Sequence, residues 1–146
     1  MIPIAFAPYD FKIKYEHQLR YIFDPIRKKY VVLTPEEWVR QNILHYLMQE
    51  MQYPKGLISV EKEIRINGLR KRYDIVIYGD RLMPWMLVEC KEPATVISDK
   101  TLQQLLRYHQ TLQCPFWMLT NGRQSFCARV LQGRVEWLSA LPRHDF

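Results

Sequence analysis

The sequence of residues 72–91 is RYDIVIYGDRLMPWMLVECK. It contains two short runs of β-branched and aromatic residues, separated by Gly79 and Asp80, which are typical of turns. We predict two antiparallel strands joined at this turn. In such a pair, the start of the first strand lies beside the end of the second, so Asp74 is expected next to Glu89 and Lys91.

The second predicted strand is apolar until it reaches Glu89 and Lys91, which are two residues apart and therefore share one face. Two neighbouring carboxylates repel each other unless a cation lies between them. Without a cation, we expect removal of Asp74 or Glu89 to leave the fold intact or more stable. Oxygen ligands favour Mg²⁺ or Mn²⁺, and a lysine beside the metal can orient a water and stabilise negative charge on a phosphate.

The residues that follow predict a crossover connection. Leucines recur at helical spacing over residues 98–113, and the continuous apolar run at 116–120 is typical of a strand buried on both faces. Strand 85–91, this helix and strand 116–120 therefore form a βαβ unit. On the helix, Gln104 and Tyr108 are four residues apart and lie on one line, where an amide and a hydroxyl can bind a phosphate oxygen or a metal-bound water.

The residues that precede the central pair predict a hairpin, a helix and a strand. Alternation over 11–33 around the turn residues Asp24-Pro25 indicates a β-hairpin. Thr34 is a suitable N-cap, and Glu37 completes a T-x-x-E capping box for the next helix. Residues 57–66 alternate as a strand that ends at an Asn-Gly hairpin turn.

The expected fold is α/β, a mixed sheet flanked by helices, with an αβββαβ core and an N-terminal β-hairpin. The length of 146 residues suits a single domain. We assign residues 1–146 to that domain. Its parts are an N-terminal hairpin 11–33, a catalytic core 34–122 and a C-terminal hairpin 125–138.

Composition limits the classes of function. The net charge of +6 suits a phosphate-bearing partner. The cysteines Cys90, Cys114 and Cys127 are odd in number and lack C-x-x-C spacing, which argues against a disulfide framework or zinc ribbon and favours a reducing cytosol. No apolar run approaches the ~18 residues of a membrane span. No GxxxxGK[ST] loop is present, so we expect no built-in ATPase motor.

Asp74, then Glu89-Cys90-Lys91, then QLLRY from Gln104 to Tyr108 resemble the PD-(D/E)xK nuclease superfamily with its QxxxY extension, as in RecB-type nucleases and type I restriction enzyme R subunits. The segments FDPIRKKYVVLTPEEWVRQ, KRYDIVIY, LVECK and LTNG more closely resemble the group named after the R-subunit N-terminus. This resemblance covers roughly residues 19–130 and implies that the mixed β-sheet has a restriction-endonuclease-like fold. Tyr73 stands where the superfamily name has proline.

The resemblance implies a role for each motif residue. Asp74 and Glu89 would ligate Mg²⁺ or Mn²⁺, with the Cys90 backbone carbonyl as a third ligand. Lys91 would serve the attacking water. A structural salt-bridge cluster at a strand end is the alternative interpretation of the two carboxylates and the lysine.

Further residues are implied on the two helices. Gln104 and Tyr108 would support the phosphate, although a solvated helix flank is the alternative. The superfamily often adds a glutamate from the first helix; Glu37 is the candidate and Glu36 the second choice. For Glu37, helix capping is the favoured alternative.

The basic group Arg70, Lys71 and Arg72 directly precedes Asp74. It is expected either to hold a DNA backbone or to be ordinary solvated charge.

These residues predict metal-dependent hydrolysis of DNA phosphodiesters, in restriction-modification or DNA repair. The alternatives are a non-catalytic nucleic-acid-binding or assembly module, and a structural accessory subunit. Expected partners are DNA, a separate translocase or other restriction or repair subunits, and a second copy of the chain, with a cytoplasmic location and no membrane. The sequence does not determine which DNA sequence is preferred, whether DNA or RNA is the substrate, or whether the cleavage is endo- or exonucleolytic.

Overall fold

A computed structural model describes residues 1–108 and 112–144. Within this part of the chain, two β-sheets and two α-helices are formed. The elements are β1 (Ile13–Glu16), β2 (Leu19–Asp24), β3 (Lys29–Val32), α1 (Pro35–His45), β4 (Ile58–Ile66), β5 (Leu69–Tyr78), β6 (Pro84–Cys90), α2 (Asp99–Tyr108), β7 (Phe116–Thr120), β8 (Ser125–Leu131) and β9 (Arg134–Trp137).

The first sheet is small and antiparallel, with strand order β1-β2-β3. The predicted N-terminal hairpin is confirmed, and it is extended by one strand. The extra turn falls at His17 and Gln18, whose φ angles of 50° and 64° are those of a tight two-residue turn.

The second sheet has the strand order β4-β5-β6-β7-β8-β9. All its neighbouring strands are antiparallel except β6 and β7, which are parallel and are connected through α2. A tight turn can join only antiparallel strands. Before a parallel strand starts, the chain must return to the other end of the sheet, which requires a crossover such as α2. The mixed sheet flanked by helices and the hairpin over β8 and β9 are therefore confirmed.

The two helices belong to different hydrophobic clusters of the large sheet. Ile43 of α1 packs in one cluster with Ile75 of β5, whereas Leu102 of α2 packs in the other with Val76. Since adjacent strand residues point to opposite faces, the sheet lies between the two helices. The apolar run of β7 supplies both clusters, as expected of a strand buried on both faces.

Helix α1 begins as the sequence predicts, but its capping box is only half formed. The Thr34 hydroxyl accepts a hydrogen bond from the Glu37 amide at 3.0 Å. The Glu37 carboxylate is buried and binds Arg27 and Arg40 instead of the N-terminal amide. After His45 the helix continues as a π-helical turn over Tyr46–Glu50.

Helix α2 is described from Asp99 to Tyr108, within the predicted span of 98–113. Residues 109–111, which include His109, lie outside the described residues. None of the helices in the described ranges is both long and apolar enough to cross a membrane.

All three cysteines are buried and unbridged, which agrees with small packed side chains. Burial raises the pKa of Cys114 and of Cys127 to about 12, so these thiols stay protonated near neutral pH.

Candidate functional site

The register of β5 and β6 brings the predicted site residues together. Ile75 is opposite Val88, so Asp74 reaches the end of β6. The Cys90 amide donates a hydrogen bond to Asp74 Oδ2 at 2.8 Å, and Lys91 Nζ lies 3.5 Å from Glu89 Oε1. The structure therefore places Asp74 beside the Glu-Cys-Lys segment, as the strand pairing predicts.

Glu89 has a pKa well above that of an ordinary glutamate. Burial raises its pKa to about 7, the negative charge of Asp74 adds to the rise, and Lys91 opposes it. Its side chain is still 26% exposed, so solvent and ions can reach it. A carboxyl that titrates near neutrality in such a pair is a common feature of functional sites.

Sequence reasoning missed Arg40, which is the central cation of the site. This α1 side chain is 7% exposed, and its guanidinium lies 2.7 Å from Asp74 Oδ1 and 2.6 Å from Glu37 Oε1. Arg40 Nη2 is also 2.8 Å from Glu61 Oε1. Burial lowers the pKa of Arg40, but the three carboxylates raise it by more, so the net shift is upward. The i,i+3 spacing to Glu37 and the i,i+4 spacing to Glu36 were the local signals of its pairing on α1.

The two glutamates of α1 differ in what they face. Glu37 is buried between Arg27 and Arg40, at 2.8 and 2.6 Å. Glu36 is 48% exposed and lies 3.4 Å from Arg40. Burial raises the pKa of Glu36, and the charge of Asp74 raises it further, so Glu36 is within electrostatic reach of the candidate site.

Backbone strain at Glu61 helps to aim Asp74. Glu61 has a φ of 56°, which is unusual for a residue within a strand, and the register places it opposite Asp74. Regular alternation would put Tyr73 on the same side of the sheet as Ile75. Instead, Tyr73 packs in the α2-side cluster, while Asp74 binds Arg40 of α1. The strand therefore changes face at this point, and Asp74 and Ile75 both point towards α1.

The structure does not join the QxxxY residues to this cluster. Gln104 is exposed and the Tyr108 side chain is 72% exposed. Within residues 1–108 and 112–144, no hydrogen bond or ion pair links either side chain to Asp74, Glu89 or Lys91. The Tyr108 main-chain carbonyl accepts a hydrogen bond from Lys71 Nζ at 3.4 Å.

Strand alternation divides the basic group of β5. Arg70 and Arg72 share one face, have side chains that are 65% and 66% exposed, and each lie 3.5 Å from a glutamate of β4. Lys71 points to the other face, towards α2.

The sequence model of the type I restriction enzyme R protein N terminus matches residues 35–142. The chain belongs to this family. The match begins at α1 and includes the whole large sheet, but it leaves out the small sheet of β1–β3. A search of curated proteins finds no match to the chain. Membership of the R-protein family indicates a restriction-modification context.

The protein supplies only some of the ligands that a divalent cation would need at this site. Among the described residues, no group of three or more His, Cys, Asp and Glu side chains is arranged to hold a metal ion. Asp74 and Glu89 supply two carboxylates, and Mg²⁺ is commonly bound through one or two carboxylates with water and substrate phosphate completing its shell. The raised pKa of Glu89 shows that its negative charge is poorly compensated there. A Mg²⁺ or Mn²⁺ ion held by these two carboxylates would therefore need water and substrate phosphate for the rest of its shell.

Proposed function

We propose that this chain is a metal-dependent nuclease domain that hydrolyses DNA phosphodiester bonds within a restriction-modification system. One observation carries the proposal: Asp74 binds the amide of Cys90, the residue after Glu89; burial and the charge of Asp74 raise the pKa of Glu89 to about 7, and Lys91 is 3.5 Å from Glu89. Membership of the R-protein N-terminal family supports it. The QxxxY form of the PD-(D/E)xK pattern supports the same chemistry.

Asp74 and Glu89 would hold the Mg²⁺ or Mn²⁺ ion, with the Cys90 main-chain carbonyl as a further ligand. The bound metal would supply a Lewis acid and lower the pKa of a water molecule. Arg40 and the Cys90 amide orient Asp74, and Glu89 binds a cation only after losing its proton. Glu36 is the α1 carboxylate more available to join them, because it is exposed and contacts Arg40 at 3.4 Å, whereas Glu37 is buried between two arginines.

Lys91 is proposed to act on the attacking water and on the charge that develops on the phosphate. Its side chain is 41% exposed, so the ammonium can reach a bound substrate. Gln104 and Tyr108 are proposed to contact the phosphate from α2, where their exposure leaves them available to DNA.

The test is cleavage of linear, circular and single-stranded DNA in Mg²⁺ or Mn²⁺. Lys91→Ala should bind DNA and metal nearly as wild type does, whereas cleavage falls by a factor on the order of 10² or more, because only transition-state stabilisation is removed. Lys91→Arg should not restore cleavage, since a planar guanidinium does not fit the place of an ammonium beside a water. Lys55→Ala, at an exposed lysine distant in sequence, is the matched control.

Metal-independent cleavage, or undiminished cleavage by Lys91→Ala, would contradict the proposed roles. A pure wild-type protein with no cleavage of any substrate would favour a binding module or a nuclease that needs a motor partner. Adding candidate translocase subunits distinguishes these two cases.

A non-catalytic DNA-binding or assembly module is the second candidate. The observation in its favour is that Arg40 already neutralises Asp74, so the cluster is satisfied in part without metal. Calorimetric titration with Mg²⁺ separates the two: a nuclease site binds Mg²⁺ in wild type and fails to bind it in Glu89→Gln, whereas a structural cluster binds none in either.

The proposed partners are DNA, a separate translocase or other restriction subunits, and a second copy of the chain. Arg70, Lys71 and Arg72 are proposed to bind phosphates independently of sequence. Replacing them should reduce the salt slope of DNA binding by roughly one for each phosphate that is no longer neutralised. Because Lys71 points to a different face, Arg70→Gln/Arg72→Gln and Lys71→Gln should be measured separately; an unchanged slope in both marks the group as solvated surface.

A further inference from the structure

The outward face of the small sheet carries a group of aromatic rings. Ile22 and Asp24 of β2 are fully buried, so this side of the strand faces the body of the protein. The alternate residues Tyr21 and Phe23 project to the opposite side, and both are partly exposed. Tyr30 of β3 is the cross-strand neighbour of Phe23, with ring centroids 5.3 Å apart, and it is 39% exposed.

Two lysines lie over these rings. Lys14 Nζ is 4.4 Å from the Tyr30 ring centroid and 5.8 Å from that of Tyr21, and Lys12 Nζ is 5.6 Å from the Phe23 centroid. Both lysines are exposed, and Lys14 also pairs with Glu16 at 3.1 Å. We call the set Lys12, Lys14, Tyr21, Phe23 and Tyr30 the aromatic–lysine face.

Further positive charge lies elsewhere on the small sheet. Lys28 is exposed in the turn before β3, and Arg20 and Lys29 are exposed at strand positions that alternate with Tyr21 and Tyr30 and so belong to the opposite side of the sheet. Glu16 and Asp10 are the neighbouring exposed acids within residues 10–33, while Asp24 is buried and bound to Arg27. The occupant of the face should therefore be an anion that also presents flat apolar surfaces.

We propose that the aromatic–lysine face binds single-stranded nucleic acid: the exposed Lys14 side chain moves its ammonium from the rings of Tyr21 and Tyr30 to a phosphate, bases stack on these two rings, and Lys12 lies near a further phosphate. Exposed rings with interleaved cations are the means by which proteins bind single strands without reading sequence. A duplex keeps its bases stacked on one another and offers the rings nothing to contact. A protein partner would instead need acidic groups that pair with the lysines. Absence of nucleic-acid binding in the experiment below would favour such a partner.

Binding at this face needs no metal and no catalytic step, so it is distinct from the function proposed above. The network of Asp24, Arg27 and Glu37 connects the small sheet to α1, and through Arg40 to Asp74. The small sheet is therefore connected to the helix that supplies Arg40 to the candidate site.

The experiment is fluorescence anisotropy with a labelled poly-dT oligonucleotide and a duplex of equal length, in EDTA. Wild type should prefer the single strand by about tenfold or more. Tyr21→Leu/Tyr30→Leu keeps the apolar volume but removes both rings, and should weaken single-strand binding by about tenfold or more. Trp137→Leu is the matched control, because Trp137 is an exposed aromatic residue on β9, and it should bind as wild type does.

Lys12→Gln/Lys14→Gln should reduce the salt slope by about 0.7 for each phosphate that is no longer neutralised. Ultraviolet cross-linking of wild type to the oligonucleotide gives a measurement that does not depend on variant stability, and adducts should map to residues 19–33. Equal affinity for duplex and single strand, an unchanged affinity in the double tyrosine variant, or adducts confined to β5 or α2 would overturn the assignment. Absence of nucleic-acid binding would also overturn it and would favour a protein as occupant. Because the measurements are made in EDTA, none of these outcomes depends on cleavage.

Discussion

Arg40 changes what the loss of Asp74 should do to the fold. Repulsion between two carboxylates led us to expect a neutral or stabilising effect. In the structure, however, Asp74 accepts hydrogen bonds from both Arg40 and the Cys90 amide while it is buried. The expectation is therefore reversed for Asp74, but it stands for Glu89, whose charged form is disfavoured.

We predict that Asp74→Ala lowers the free energy of unfolding by roughly 3 kcal/mol, at the lower end of the cost of breaking a buried ion pair, because Arg40 keeps Glu37 and Glu61. Glu89→Ala should be near neutral or stabilising at pH 8. Urea unfolding of both variants in EDTA measures the difference. Equal effects in the two variants would mean that the ion pair between Arg40 and Asp74 does not contribute to the stability of the fold.

The pKa of Glu89 predicts how stability depends on pH when metal is absent. Its folded-state pKa of about 7 is above the ordinary value of 4.5, so the folded protein holds a proton that the unfolded chain has released between these pH values. Stability from this group is present below pH 4.5 and is lost as the pH rises to about 7, by an amount on the order of 3 kcal/mol.

Glu89→Gln carries no titrating group and serves as the control. In EDTA, the free energy of unfolding of wild type relative to Glu89→Gln should fall between pH 5 and pH 7.5 and then become constant. A difference that is flat over this range would show that Glu89 has an ordinary pKa. Addition of Mg²⁺ at pH 7.5 should stabilise wild type more than Glu89→Gln.

The pairing of β4 with β5 depends on one unfavourable backbone conformation. Glu61 has a φ of 56°, a region that costs non-glycine residues about 1–2 kcal/mol. Two ion pairs of its carboxylate offset this cost, one to Arg40 at 2.8 Å and one to Arg72 at 3.5 Å. Opposite Glu61, the alternation of side chains along β5 is broken, so that Asp74 points towards α1.

Two substitutions of Glu61 separate the backbone effect from the ion pair. Both Glu61→Ala and Glu61→Gly remove the carboxylate, but glycine adopts positive φ without strain. We predict that Glu61→Gly is more stable than Glu61→Ala by about 1 kcal/mol in urea unfolding. In an ordinary strand position the order would be the opposite, since glycine costs conformational entropy, so alanine being the more stable would exclude strain at this position.

The buried carboxylate of Asp24 holds the small sheet on α1, the helix that packs against the large sheet. It accepts hydrogen bonds from the Ile26 and Arg27 amides, from Arg27 Nε and from Gln41 of α1. Arg27 in turn binds Glu37 at 2.8 Å. The position of the small sheet on α1 therefore depends on a charge network as well as on apolar packing around Ile22.

We predict that Asp24→Asn lowers the free energy of unfolding by about 2 kcal/mol or more. The amide keeps the shape of the side chain but leaves Arg27 without one of its anionic partners and replaces an acceptor with a donor that faces other donors. Asp80→Asn is the control, because Asp80 is exposed, and it should stay within ~0.5 kcal/mol of wild type. Thermal unfolding followed by circular dichroism gives both values; equal effects would mean that Asp24 is not needed to hold the small sheet.

Signals from neighbouring residues were enough to predict much of the fold. Alternation located the strands, the Asn67-Gly68 pair located a hairpin turn, and leucine spacing with a buried apolar strand located the crossover through α2. Antiparallel pairing also placed Asp74 beside the end of β6. Each of these features depends on residues a few positions apart, or on the geometry of one tight turn.

Only the tertiary structure decided which charges meet. Arg40 and Asp74 are 34 residues apart, and nothing local to either indicates the pairing. T-x-x-E spacing predicted that Glu37 would bind the helix N-terminus, but burial between two arginines is favoured, since an unpaired buried guanidinium costs more than an open cap. The change of face at Glu61 likewise coincides with a long-range contact, the ion pair between Glu61 and Arg40, which the residues next to Glu61 do not indicate.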